Sequence, residues 1–266
     1  MKQNNWFDPF FIFENLSPEE KLIQKNVKDF SNSVLRPTVV AHNRDHKFDR
    51  DLYKEFGRLG LLGSTVKNYG GAGASSTAYG LIAYEIEKID SSYRSSISVQ
   101  SSLVIHPIDS FGSDEQKERY LPELISGIKI GCFGLTESEA GSDPSSMKTT
   151  YKKNQNGYVL NGSKNWITNA PIADIFIIWA LNEKLEPDSI KGFILEKDTK
   201  GLSTSTIENK TSLKISPTGQ IIMQDVSIDQ SNCLENTKGW SSVFSCLNKA
   251  RFGISWGVLG AASECW

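Results

Sequence analysis

The chain has 266 residues, 38% hydrophobic and 23% charged, and its 29 basic and 31 acidic side chains give a formal net charge of −2. That fits one large or two smaller globular domains with a real core, and without a basic face nucleic acid is excluded as the main partner. The four cysteines, Cys132, Cys233, Cys246 and Cys265, are scattered with no CxxC pair, which argues against metal or disulfide roles and for a reducing compartment.

The start, MKQNNWFDPF, lacks the basic-then-apolar pattern of a signal peptide. Residues 1–127 read as an all-helical domain. Ser17-Pro18-Glu19-Glu20 is a capping box opening a helix that carries Leu22, Val27, Phe30, Val34 and Leu35. Further helices are predicted over 50–59, 76–89 and 95–105, the last halting near Pro107, and after the cap Ser113-Asp114-Glu115-Gln116 up to Gly127. Between them, the run 68–73, NYGGAG, is a loop, because so many glycines disfavour a helix.

From 128 to 235 the pattern changes to short β-rich segments at 128–135, 158–160, 175–181, 192–195 and 219–226, separated by turn signals such as Asn156-Gly157. They predict a small barrel or sandwich. The longest apolar run, 175–181, is far too short to span a bilayer. The segment 236–266 returns to helix. Trp240, Val243, Phe244, Leu247, Phe252, Ile254, Trp256, Val258 and Leu259 make it apolar on nearly every side, so it is expected to be buried all round. The fold class is therefore α+β. The final helix needs cover from another segment or another chain.

Two segments carry chemistry. The stretch 132–144, CFGLTESEAGSDP, is an apolar strand running into Thr136 and an acidic, glycine-bearing turn. A flat, polar-edged ring such as a flavin needs backbone N–H groups and a hydroxyl along its edge and apolar bulk against its face. Trp166-Ile167-Thr168-Asn169 repeats that mixture. His42 and His46 have the spacing of a metal pair, but no third ligand is evident beyond Asp45 and Asp49, so no metal site is expected. His106 before Pro107 reads as structural.

The domain order and three motifs resemble the acyl-CoA dehydrogenase family: CFGLTESEAGSD at 132–143, NGSKNWITN at 161–169, and FGSDEQK at 111–117 followed by Tyr120-Leu121-Pro122. Within it, YRSSISVQSS at 93–102, His106-Pro107 and LNKARFGISWG at 247–257 resemble the glutaryl-CoA dehydrogenase subgroup. The resemblance implies FAD, an acyl-CoA substrate, an electron-transferring flavoprotein as partner, a homotetramer at full length, and a bacterial cytoplasmic or processed mitochondrial-matrix location. In the family, a carboxylate takes the proton α to the thioester while the β-hydrogen leaves as hydride to the flavin. The subgroup acts in lysine and tryptophan degradation, where loss of CO2 then gives crotonyl-CoA; some relatives stop before that step.

By resemblance, Phe133, Gly134, Leu135, Thr136, Gly141 and Ser142, with Trp166, Ile167, Thr168 and Asn169, contribute to the cofactor site. Ser142 also lies against the pantetheine arm. Arg94 and Ser95 hold the distal carboxylate, which an arginine fork suits; the alternative is a surface arginine at a helix start. Glu87 either orients Arg94 or is a solvated helix carboxylate. Phe244, Leu247 and Arg251 line the CoA channel. Arg251 pairs with a CoA phosphate or closes its helix through an internal ion pair. The resemblance places the catalytic glutamate in a helical domain beyond Trp266. No catalytic residue is therefore expected in this chain, which alone is expected to be inactive. A non-catalytic acyl-CoA-binding fragment, a non-functional remnant, and another short-chain acyl-CoA as substrate stay open as alternatives.

Overall fold

The computed structural model describes residue 8 and residues 10–266, so the stretch read for a targeting signal lies almost wholly outside the described residues. Helices come first: α1 (Pro18–Phe30), α2 (Val39–Asp45), α3 (Leu52–Arg58), α4 (Ser76–Glu87), α5 (Ser91–Ser98), α6 (His106–Phe111) and α7 (Asp114–Ile125). Both capping boxes form as the sequence predicts. Ser17 caps α1 with Glu20 bonding back, and Ser113 caps α7 with Gln116 doing the same. Asp90 caps α5 by accepting the Ser92 N–H, which separates α4 from α5.

The predicted stop at Pro107 does not occur. The chain widens into a π-helical stretch over Val99–Ile105 and runs on into α6, with Pro107 in its first turn.

The strands are β1 (Gly131–Gly134), β2 (Thr150–Asn154), β3 (Gly157–Thr168), β4 (Ile175–Asn182), β5 (Lys191–Glu196), β6 (Leu202–Thr206) and β7 (Thr218–Asp229). The long helix α8 (Trp240–Cys265) follows. The strands form one seven-stranded sheet in the order β1-β4-β2-β3-β7-β6, with β5 also on β4. It curls into a half-barrel against the helices, the barrel-like domain the sequence predicts. The polar strands β2 and β6 escaped the sequence pattern because they alternate weakly and face solvent.

Strand β4 explains the apolar run. Ile175, Ile177, Trp179 and Leu181 join the core shared with the helices, while Phe176, Ile178 and Ala180 fill the barrel interior. A strand buried on both faces reads as continuously hydrophobic.

Helix α8 departs from the expectation of burial all round. Its packed face is small: Val243, Cys246, Ala250, Gly253, Gly257 and Gly260 are buried. Its large apolar side chains, among them Phe244, Phe252, Ile254, Val258 and Leu259, face outward. The reason is close approach to α4. A Cβ on Gly260 would lie 2.1 Å from the Tyr84 carbonyl, and one on Gly80 would lie 2.4 Å from the Trp256 ring. No helix among the described residues is long and apolar enough to cross a membrane.

Candidate functional site

Strand β1 is an edge strand and its far end opens the first half of the site. Phe133 and Leu135 are 7% and 5% exposed and point into the core, Phe133 against Trp179 at 6.2 Å. They can reach a ligand only through their backbone. Beyond them Thr136 is half-buried, and neither its hydroxyl nor that of Thr168 bonds another described residue. Around Gly141 the space is open, since an added Cβ there would meet only Thr136 Cγ2, at 4.0 Å. Ser142 is exposed beside it.

The second half comes from β3. Its pairing with β7 is interrupted between Lys164 and Ile167, and Trp166 sits in this bulge with φ +59°. Bulges re-aim side chains, and here the indole is 59% exposed. The bulge is tied to the β1 loop. Asn165 N–H donates to the Thr136 carbonyl at 2.9 Å, and its side-chain amide donates to Ser138 Oγ at 3.2 Å. An exposed aromatic face, two half-buried unpaired hydroxyls and an open glycine thus meet at one place, which fits a flat ring with a polar edge.

Ile167 and Asn169 do not reach that surface. Ile167 is in the barrel core, and Asn169 is fully buried. The Asn169 amide donates to the Gly131 carbonyl at 3.1 Å. Both lie beneath the site, because the bulge at Trp166 restores inward alternation after it. Asn169 holds β1 in place.

Three groups that sequence reasoning passed over fix this geometry. Lys164 is fully buried and donates to the Leu135 carbonyl (3.0 Å) and to Glu137 Oε1 (2.9 Å). Burial pushes its ammonium down to about 8, against the pull of Glu137. Glu137 also accepts the Lys148 and Thr149 N–H groups. Burial alone would raise its carboxyl; Lys164 and these donors outweigh that and hold it below its ordinary value. Gly134 makes room, since a Cβ there would lie 2.6 Å from Ile178 Cδ1 and 3.2 Å from Lys164 Cγ. The third group, Gln100, sits on the π-helical stretch, donates to the Leu124 and Lys129 carbonyls at 2.9 Å each, and accepts the Gly131 N–H at 2.8 Å. The inward alternation of Leu160, Gly162 and Lys164 along β3 was a readable sign of a buried lysine that needed an acid.

The helical half presents a different group. Arg94 on α5 is not a surface arginine: its side chain is 12% exposed and pairs through Nε with Glu87, itself 7% exposed. Glu87 is therefore no solvated carboxylate; Ser91 Oγ also donates to it. The two terminal nitrogens of Arg94 bond no other described residue. Arg94 also lines a tight apolar crevice, with no room for a water molecule, together with Tyr79, Ile82, Ala83, Ile86, Ile97 and Ser98. Ser95 is half-buried next to Arg94.

On α8, Phe244 is 43% exposed with its ring 5.9 Å from Trp240, and Leu247 packs at the core margin. Arg251 is exposed and donates to Asn248 Oδ1 at 2.6 Å, and it closes no ion pair with another described residue. The histidines are accounted for by local contacts. His42 Nδ1 lies 3.0 Å from the Tyr93 hydroxyl, His46 ends α2 in a left-handed turn, and His106 Nε2 lies 3.0 Å from Ser245 Oγ. No cluster of three or more metal-binding side chains occurs among the described residues.

Comparison with known proteins agrees along nearly the whole chain. Residues 17–128 match the acyl-CoA dehydrogenase N-terminal domain and residues 132–226 its middle domain. An acyl-CoA dehydrogenase of Bacillus subtilis is 37% identical over 93% of this chain. A glutaryl-CoA dehydrogenase from Mycobacterium smegmatis, solved in complex with FADH2, superposes with a TM-score of 0.93 at 40% identity over 96% of the chain. The butyryl-CoA dehydrogenase of Megasphaera elsdenii gives 0.89 at 35% identity over 94%. The chain spans 66%, 65% and 67% of these three proteins, respectively.

Proposed function

The chain belongs to the acyl-CoA dehydrogenase family, and on that premise we propose that its site takes FAD and glutaryl-CoA, for α,β-dehydrogenation with decarboxylation to crotonyl-CoA and CO2. The observation that carries the substrate is Arg94. A guanidinium that is nearly buried, held by one carboxylate on one nitrogen, keeps a fork of two donors for a second carboxylate. That fork stands beside an apolar crevice, where a ligand carboxylate would meet an oriented partner. A dicarboxyl acyl chain would supply the partner.

Bound FAD would supply the two-electron acceptor. The protein's part is positional. Trp166 would cover one ring face, Thr136 and Thr168 would offer hydroxyls at its edge, and the backbone from Phe133 to Thr136, held by Lys164 and Glu137, would lie along it. Ser142 and the exposed Phe244, with Leu247 and Arg251, offer a path for the CoA arm. In the full reaction, electrons pass to an electron-transferring flavoprotein, and the assembly is a homotetramer.

The test is reconstitution. FAD added to the purified chain should lose fluorescence on binding, and the loaded chain should then bind glutaryl-CoA in calorimetry more tightly than butyryl-CoA. Binding of FAD with equal affinity for the two thioesters would favour a plain short-chain substrate. Binding of neither FAD nor thioester would contradict the proposal.

A further inference from the structure

Resting on the carboxylate role proposed for Arg94, we infer that Gly257 of α8 is a specificity-determining residue for the dicarboxyl substrate. It is buried where α8 crosses the Glu87–Arg94 pair. A Cβ at this position would lie 2.7 Å from Glu87 Oε2 and 3.2 Å from Arg94 Nε. The other glycines on this face do something else: Gly253 faces the Tyr79 hydroxyl and Gly260 the Tyr84 backbone. Only Gly257 faces the ion pair.

Glycine inside a helix is disfavoured relative to alanine, so this position runs against helix propensity. What it provides is room. With no side chain above it, Glu87 closes on Arg94 Nε, and the two terminal nitrogens keep no partner among the described residues. An alanine methyl would meet the free end of a side chain rather than backbone. The carboxylate would therefore give way while the helix stays in place, and Arg94 would lose the partner that orients its fork. An acyl chain without a distal carboxylate makes no use of the Arg94 fork, so it should be indifferent to the change.

The experiment compares glutaryl-CoA and butyryl-CoA dissociation constants on the FAD-loaded chain for wild type, G257A, R94A and the double variant G257A/E87D. G257A should weaken glutaryl-CoA about tenfold, the size of one charge-assisted hydrogen bond, and leave butyryl-CoA within about twofold. In G257A/E87D the shorter carboxylate clears the methyl, so this variant should regain most of the preference. It carries the test if G257A does not fold. Equal losses on both ligands in G257A, an unchanged preference there, or a double variant without preference would overturn the inference. A preference lost in R94A but untouched in G257A removes Gly257 alone. A preference that survives R94A removes the carboxylate role of Arg94, and this inference with it.

Discussion

Two buried ion pairs, one in each half of the molecule, differ in how completely they are satisfied. Lys164 and Glu137 in the β half spend their bonding capacity on the chain itself: two backbone N–H groups, one carbonyl and each other. Arg94 and Glu87 in the helical half are almost as buried, yet Arg94 uses only Nε. A saturated pair can fix a loop and do nothing more. An unsaturated one keeps oriented donors in a largely buried position, where a ligand's charge is worth more than in open water. Burial by itself therefore does not separate framework from binding group; the count of unused donors does.

The largest effect should come from breaking the saturated pair. Lys164→Met leaves Glu137 buried without its cation and should lower unfolding free energy by about 3–5 kcal/mol in urea titrations. A loss under about 1 kcal/mol would mean that the pair is not a clamp. Arg94→Lys keeps the charge and loses the planar fork. It should weaken glutaryl-CoA about tenfold by calorimetry with little change in stability. A comparable fall in urea stability would place Arg94 with Lys164 as framework. Trp166→Ala removes an exposed ring, so stability should hold within about 0.5 kcal/mol. FAD affinity should fall about three- to tenfold, the worth of one aromatic contact, when followed by flavin fluorescence.

The smallest effect concerns pH. Lys164 titrates near 8 in the folded chain against an ordinary value of 10.5. Between those values the unfolded chain holds more protons, so this group's contribution to global stability rises with pH. The loop contact itself weakens once the ammonium is discharged. Amide exchange over 137–149 should therefore quicken between pH about 7 and about 9.5, after correction for intrinsic rates, without global destabilisation from this group. The glutaryl-CoA preference should not change over that range, because Lys164 lies in the other half of the molecule.

Much of this was legible in the sequence because it is local. The caps at Ser17 and Ser113, the edge strand leading to Thr136, and the pairing of Glu87 with Arg94 follow from short-range pattern or motif. What escaped was set by partners far along the chain. Asn169 looked like part of a ligand edge, yet it bonds Gly131, 38 residues away. Gln100 reads as one polar residue in a serine-rich run, but it joins a helix end to β1. For α8, hydrophobicity suggested burial everywhere, whereas the glycines at 253, 257 and 260 chose the packed face. Small residues at helical spacing mark close approach better than large ones do.

The measurement that bears most directly on the spare fork is the pair of dissociation constants, for glutaryl-CoA and butyryl-CoA, on wild type and Arg94→Ala. The account predicts a wild-type preference for glutaryl-CoA that R94A abolishes, weakening that ligand about 30- to 150-fold while butyryl-CoA stays within about twofold. Equal losses on both thioesters, or a preference that survives the substitution, would contradict it.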